Sequence, residues 1–238
     1  MNRQPWHMAV LIPARNEEQL LPRCLESIAA AIALLLPAEV TADVVIAVDR
    51  SSDRTLEIAR RMIHGRGVAI TTQSGIVGRA RGLAARTALG RYRGALSRCW
   101  LANTDADSSV PAYWMTDHLQ LASENVEAIA GTVDVDSFEE HSNVVAERFR
   151  SSYVMSPNGS HPHVHGANLG VRADAYLRAG GWKSIATAED HDLWNRLEKT
   201  GANRISISRL RVLISGRRVG RAPHGFADTL AAHNEVAA

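Results

Sequence analysis

Two carboxylates stand one residue apart where an apolar run ends. Cys99 to Ala102 form this run, and Asp105 and Asp107 follow it among turn-forming residues. A short apolar run bounded by turn formers predicts a buried strand, so both carboxylates would lie where the strand leaves the core. Ligands bind at that edge of an open parallel sheet, and carboxylates there can hold Mg²⁺ or Mn²⁺ beside substrate phosphates. The plainer interpretation of this short motif is a solvated acidic turn.

Further acidic and basic residues occupy similar positions elsewhere in the chain. Asp49 closes a second apolar run, Arg81 follows a Gly-Arg loop, and Glu189 with Asp190 opens a helical pattern. Each also has a structural interpretation. Asp49 can cap the next helix, and acids are common in the first turn of a helix. Arg81 can be a solvated helix residue. Only their combination indicates a site.

The elements that would position these residues alternate along the first hundred residues. Apolar runs at 8–12, 44–48 and 67–71 are separated by segments with helical periodicity. This alternation predicts a doubly wound, mostly parallel α/β sheet flanked by helices. We expect a single domain over 1–238, with a nucleotide-binding half at 8–110, an acceptor-side half at 111–215 and a tail or loop at 216–238. In the second half the pattern predicts a strand over 126–133, a helix over 137–153 and short strands within 203–214.

Composition sets the limits of the functional classes. The chain has 238 residues and a net charge of +2, which gives no electrostatic case for nucleic acid. Cys24 and Cys99 lie in apolar segments without metal spacing, as expected for reduced core cysteines of a cytoplasmic protein. The N-terminus has no secretory pattern, and no apolar run is long enough to predict a transmembrane segment. Peripheral contact with a membrane stays open.

The first predicted turn excludes the common dinucleotide-binding families. Those families place a Gly-rich phosphate loop after the first strand. Here the strand is followed by Pro13-Ala14-Arg15-Asn16, and the chain has no P-loop lysine. A bound nucleotide would therefore be held in another way.

Taken in order, the motifs resemble family 2 glycosyltransferases of the nucleotide-sugar-binding GT-A fold. The resemblance covers residues 8–200 and rests on Ile-Pro-Ala-Arg-Asn-Glu-Glu, the strand-end Asp, the Gly/Arg loop, Asp-x-Asp, Gly-Ala-Asn, Gly-Gly-Trp and Glu-Asp. It implies an inverting, metal-dependent hexosyltransferase. Such an enzyme moves a single sugar from a UDP or GDP donor to a hydroxyl acceptor, whose identity the sequence does not reveal.

The resemblance also implies roles for individual residues. The nucleotide would be bound by Pro13, Ala14, Arg15, Glu17, Asp49, Arg81 and Asp105. Mn²⁺ or Mg²⁺ would be held by Asp107, with His224 as a further ligand. Asp190 would be the general base, and the wall between donor sugar and acceptor would comprise Gly166, Ala167, Asn168 and Glu189. A hydroxyl is a poor nucleophile, so a carboxylate that takes its proton suits this chemistry.

The chain also departs from the family pattern in places. Asp49-Arg50-Ser51-Ser52 replaces the usual Asp-Asp-Gly-Ser, and Ala80-Arg81-Gly82 replaces Ala-Arg-Asn. The Gln-x-x-Arg-Trp signature of processive synthases is absent, which favours single transfer. Two other classes stay open, a sugar nucleotidyltransferase of similar fold and a non-catalytic nucleotide-sugar-binding module.

Two further features carry weaker expectations. His161, His163 and His165 alternate like strand ligands, but a loop with spare histidines is favoured over a zinc site. Five arginines lie close together near the C-terminus: Arg209, Arg211, Arg217, Arg218 and Arg221. They predict either a solvated strand edge or a loop that closes over the diphosphate.

Overall fold

One mixed β-sheet organises the protein. A computed structural model describes residues 5–35, 40–221 and 225–234. In these ranges the strands are β1 (Trp6–Ala14), β2 (Val40–Asp49), β3 (Gly67–Thr72), β4 (Cys99–Asn103), β5 (Ala128–Val135), β6 (Leu169–Arg172) and β7 (Arg204–Ile214). The sheet order is β3-β2-β1-β4-β6-β5-β7. The predicted α/β class with a mostly parallel sheet is confirmed.

Helices cover both faces of the sheet. They are α1 (Leu21–Ala33), α2 (Thr55–Met62), α3 (Val77–Arg91), α4 (Trp114–Ser123), α5 (Val145–Ser152), α6 (Ala173–Arg178), α7 (Glu189–Lys199) and α8 (Phe226–Ala232). Among the described residues, no helix is long and apolar enough to cross a membrane.

The sheet order places a cleft beside β1. The chain runs outward through β1, β2 and β3, which pair in parallel, and then returns to the other side of β1 as β4. The connections therefore diverge between β1 and β4, and ligands bind at such a switch point, outside the carboxyl ends of the strands. The loops that follow β1, β2 and β4 meet at this edge.

The strands form the core because both faces of the sheet are covered. Along β1, Met8 and Val10 pack into the core cluster on one face, while Ala9 and Leu11 pack into the cluster on the other. Continuous apolar runs are expected in strands that are buried on both faces. This explains why the first two strands could be predicted so closely. Cys24 and Cys99 are both free and buried, as expected.

The second half of the chain differs from the predicted pattern in two ways. β6 runs antiparallel to both β4 and β5, whereas β5 and β7 pair in parallel across an irregularity at Gly131. The helix predicted over 137–153 is shorter in the structure, where α5 begins only at Val145. Phe138 lies outside α5 but contacts Phe149 with ring centroids 6.1 Å apart, so its apolar signal reflects tertiary packing.

Candidate active site

A cavity opens at the carboxyl edge of the parallel strands. Its volume is about 510 Å³, and its wall includes the loops after β1, β2 and β4 and the start of α7. A volume of this size suits a small-molecule ligand. The predicted site residues that line it are Pro13, Ala14, Arg15, Glu17, Asp49, Arg81, Asp105, Asp107, Gly166, Ala167, Glu189 and Asp190.

Of the predicted site residues that the structure describes, Asn168 does not line the cavity. Asn168 is fully buried behind the wall, where its amide accepts from Trp114 Nε1 and donates to the carbonyls of Thr132 and Leu210. Its polar atoms are thus used in the core. His224 lies outside the described residues.

The loop after β1 is fastened to the loop after β2. Asn16 accepts from the Ser52 backbone N–H through its side chain, and its own N–H donates to Ser51 Oγ. The Glu17 N–H donates to Thr55 Oγ1 at 2.8 Å. Asn16 takes a φ of 51°, a left-handed conformation that Asn tolerates better than most residues. These bonds, rather than a helix start at Asn16, position the Glu17 carboxylate.

Asp49 is held at one end of the cavity. One carboxylate oxygen accepts from the Gly75 N–H at 3.1 Å, and the other accepts from Ser74 Oγ at 3.0 Å. Gly75 has a φ of 65°, a conformation that glycine adopts without a steric penalty. The carboxylate is therefore fixed by the loop before α3, and an oxygen can accept a further hydrogen bond from a ligand.

Arg81 joins two carboxylates from distant parts of the chain. It is 3% exposed, and its Nη2 and Nε lie 2.6 and 3.1 Å from carboxylate oxygens of Asp105 and Glu189. Burial alone would lower the pKa of Arg81, but the two carboxylates outweigh it and the net shift is upward. Nη1 is buried and has no hydrogen-bond partner among the residues that the structure describes. The arginine is thus a permanent cation with one donor group to spare.

A second arginine reaches into the same cavity from the tail. The Arg217 guanidinium forms two hydrogen bonds with Glu17, at 2.6 and 3.0 Å, and it also contacts Asp107. Burial raises the pKa of Asp107 to about 6, against the opposing effect of Arg217. Arg217 therefore compensates two carboxylates at the position where the diphosphate of a donor is expected.

Asp190 lies at the N-terminus of α7 and faces the Gly166 turn. Its Oδ2 accepts from the Gly166 N–H at 2.8 Å, while Oδ1 accepts from the His191 N–H at 2.8 Å. Ala188, which directly precedes α7, has a φ of 57°, which L-residues other than Asn and Asp rarely adopt. The carboxylate is thus oriented by two backbone donors, and it is only half-buried.

Asp105 and Asp107 could supply oxygen ligands to a divalent cation. Among the described residues, no group of three His, Cys, Asp or Glu side chains converges to hold a metal ion. One or two carboxylates completed by substrate phosphates and water are enough for Mg²⁺, so the chemistry of these donors fits such a cation.

Some residues of the site had little sequence signal. Arg217 stood among five tail arginines, and nothing in the sequence singled out its contact with Glu17, 200 residues away. Tyr153 and Phe226 also line the cavity. Aromatic residues in amphipathic helices are normally core residues, so only the fold could bring them here.

We predict that Gly166→Ala destabilises the site. A Cβ at residue 166 would lie 2.3 Å from Arg81 Nη2. The guanidinium would have to leave Asp105, so the free energy of unfolding should fall by about 1–3 kcal/mol, as for other overpacked sites. Chemical denaturation measures this, and Gly90→Ala is the control because a Cβ there meets nothing within 4 Å. Equal stability of the two variants would contradict the described packing.

Comparison with known proteins places this geometry in a family. The family model described as glycosyl transferase family 2 matches residues 9–178. The chain belongs to this family. No curated protein matches the chain.

Solved structures share the fold of this family 2 chain. TarS 1–349 of S. aureus, in complex with UDP-GlcNAc, is 17% identical with a TM-score of 0.66, and the match covers 92% of this chain and 61% of that chain. The mannosyltransferase PcManGT of Pyrobaculum calidifontis, in complex with GDP-Man and Mn²⁺, is 20% identical with a TM-score of 0.63, covering 98% and 70%. GalNAc-T7 with UDP, GalNAc and Mn²⁺ is 13% identical with a TM-score of 0.67, covering 95% and 46%. The fold is therefore GT-A, as predicted, and the chain spans about 61% of the length of the TarS fragment.

Proposed function

We propose that this chain is an inverting hexosyltransferase that moves one sugar from a UDP or GDP sugar to a hydroxyl acceptor, with the help of a divalent cation. One observation carries the proposal. Arg81 bridges Asp105, which follows β4, and Glu189, the neighbour of Asp190. The carboxylates that would hold a diphosphate-binding cation and the candidate base therefore line one cavity, as sugar transfer requires.

The nucleoside end of the donor would lie beside Asp49. The imide N–H of uracil, or the N1–H of guanine, can donate to the Asp49 carboxylate. Cytosine and adenine offer no ring N–H at that position, which favours UDP or GDP. Pro13, Ala14 and Arg15 line the adjoining part of the cavity and would contact the base and ribose.

The leaving diphosphate gains negative charge as the glycosidic bond breaks. Arg81 Nη1 is a buried cationic donor without a partner in the described part of the chain, so it can stabilise that charge without first giving up a bond. Arg217 lies beside Asp107 and can turn toward the same phosphates. A cation held by Asp107 and Asp105 would neutralise the diphosphate further.

Asp190 would accept the proton of the acceptor hydroxyl. The hydroxyl oxygen bonds to the anomeric carbon while the bond to the diphosphate breaks, and the proton passes to a free lone pair of Asp190. The Gly166 and His191 N–H groups orient the carboxylate and leave further lone pairs of its oxygens free to accept a hydrogen bond. Attack from the side opposite the leaving group would invert the anomeric carbon.

A thermal-shift panel tests this proposal. The panel contains UDP, GDP, CDP, ADP and the matching triphosphates, each with Mn²⁺ or with EDTA. A ligand at 100 times its Kd should stabilise the fold by about 2.7 kcal/mol. We expect the largest shift with UDP or GDP and Mn²⁺, and a smaller one with EDTA. A preference for triphosphates would favour a nucleotidyltransferase, and no shift with any nucleotide would contradict nucleotide binding altogether.

We predict that Asp49→Ala weakens binding of the preferred diphosphate and erodes its advantage over CDP and ADP. Loss of a hydrogen bond to a charged acceptor should cost about 1.5–3 kcal/mol, which calorimetry can measure. Asp43→Ala is the matched control, since Asp43 lies on the same strand but pairs with Arg91 away from the cavity. An unchanged nucleotide ranking in Asp49→Ala would mean that Asp49 serves only to hold the loop at Gly75.

A further inference from the structure

Five rings surround one end of the cavity, and we call them the aromatic wall: Phe149, Tyr153, His163, His165 and Phe226. All five line the cavity. Their ring centroids form a continuous chain of contacts, 4.0 Å for Tyr153–His163, 5.5 Å for Phe149–Tyr153, 5.7 Å for Phe149–Phe226 and 6.2 Å for His165–Phe226. The rings therefore form one surface rather than isolated side chains.

The aromatic wall adjoins the candidate base. His165 directly precedes Gly166, whose N–H binds Asp190 Oδ2 at 2.8 Å. The Tyr153 hydroxyl accepts from the Val133 N–H at 3.0 Å and lies 2.8 Å from His165 Nε2, which fixes both rings. A molecule with a hydroxyl at Asp190 would therefore rest its body against these rings.

The aromatic wall is uncharged at neutral pH. Burial lowers the pKa of His165 to about 4, and it lowers the pKa of His163 as well. The polar residues beside the wall along this part of the cavity include Ser152, Thr229 and His233. The hydroxyl groups of Ser152 and Thr229 offer hydrogen bonds, so the uncharged rings together with these hydroxyls suit a neutral ligand.

We propose that the aromatic wall is the acceptor subsite and that it binds a neutral pyranose ring. This inference rests on the proposed function and names the acceptor class for the same site. A pyranose has a C–H face that packs on flat rings and a rim of hydroxyls that need partners. Tyr153 and His163 stack on each other, so the wall offers the outer faces and the edges of its rings, with hydroxyl and imidazole groups around them. One rim hydroxyl of the sugar then reaches Asp190.

Other acceptor classes fit this surface less well. An anionic acceptor, such as a uronic acid or a phosphate, would bring a charge to rings that carry none. A purely aromatic alcohol would cover the rings but leave the neighbouring polar groups without partners, and such unpaired groups cost binding energy. A neutral sugar satisfies both parts of the surface.

Ligand-observed NMR titration with simple probes tests the inference. The probes are methyl glycosides of glucose, galactose, mannose and N-acetylglucosamine, together with glucuronic acid and benzyl alcohol, each with and without UDP or GDP and Mg²⁺. We expect at least one neutral glycoside to bind at least about fivefold more tightly than the acid and the aromatic alcohol, the scale of one aromatic contact. Tighter binding of either comparison probe would overturn the inference.

Variants of His163 separate stacking from folding. His163 is half-buried on a loop, and its Nε2 contacts only the Val154 carbonyl at 3.1 Å among the hydrogen bonds described. His163→Leu removes the ring and should weaken glycoside binding by about fivefold, whereas His163→Phe keeps a ring and should stay within about twofold. His64→Leu, an exposed histidine beyond the end of α2, should behave like the unchanged chain.

The outcomes distinguish this inference from the proposed function. Equal glycoside binding by His163→Leu and the unchanged chain, with all variants folded, would overturn the aromatic wall as the subsite. If nucleotides shift the melting temperature but no neutral glycoside binds, the acceptor class is wrong and the proposed function stands. If no nucleotide binds, the proposed function itself fails.

Discussion

Asp190→Asn should lower sugar transfer by about 10²–10⁴-fold, the usual contribution of a general base. The substitution keeps the size and polarity of the side chain, and the amide oxygen can still accept the Gly166 N–H. It removes only the basicity that takes the acceptor proton. Binding of the nucleoside diphosphate should change little, because Asp190 contacts the acceptor rather than the donor phosphates. The loss should therefore appear in kcat.

The control for this substitution is Asp192→Asn. Asp192 also lies in the first turn of α7, but it pairs with Arg196 on the same helix at 2.5 Å. Both variants alter a charge near the helix N-terminus, so any general effect of that charge should appear in both. Transfer by Asp190→Asn at the rate of Asp192→Asn would refute the role of Asp190. Loss of nucleotide binding by Asp190→Asn would instead indicate that Asp190 has a structural role.

Arg81→Ala should lower the free energy of unfolding by about 3–5 kcal/mol, as expected when one partner of a buried ion pair is removed. Glu189 is buried, and burial together with Asp190 already raises its pKa against the opposing effect of Arg81. Without the guanidinium, this carboxylate would be left unpaired in the core. Diphosphate binding should weaken as well, because the spare Nη1 donor is lost. Denaturant unfolding and calorimetry measure the two effects.

A double variant separates charge from packing. Adding Glu189→Gln to Arg81→Ala removes the unpaired charge, so part of the lost stability should return. Diphosphate binding should stay weak, because no cation has been restored. Arg79→Ala, an exposed arginine of the same helix, should change stability by less than about 0.5 kcal/mol. An equal effect of Arg79→Ala and Arg81→Ala would contradict the buried ion pair.

The parallel half of the fold could be predicted because its signals are local. Met8 to Ile12 and Val44 to Val48 are apolar without interruption, and both lie within the observed strands. The second half depends on long-range packing. Phe138 resembles part of a helix in sequence but serves as a contact of Phe149 from outside α5. The periodicity of the sequence could not distinguish a Phe138 inside a helix from a Phe138 that packs against α5 from outside.

The candidate site divides in the same way. Asp49, Asp105 and Asp107 could be predicted to lie near one another because Asp49 closes β2, Asp105 and Asp107 follow β4, and parallel strands end at one edge. The contact of Arg217 with Glu17 and Asp107 could not be predicted, because it joins the tail to loops at the start and middle of the chain. The core position of Asn168 also depends on Trp114, Thr132 and Leu210, which only the folded sheet brings together.

Turnover of a donor sugar, followed by ³¹P NMR, tests the central claim most directly. UDP and GDP sugars are incubated with the protein, Mg²⁺ and the pooled methyl glycosides. We predict that one donor yields the nucleoside diphosphate and that a new glycoside forms with inverted anomeric configuration. Both products should form much more slowly with Asp190→Asn than with the unchanged chain. Cleavage to a nucleoside monophosphate and a sugar phosphate, or equal rates for the unchanged chain and Asp190→Asn, would contradict the account.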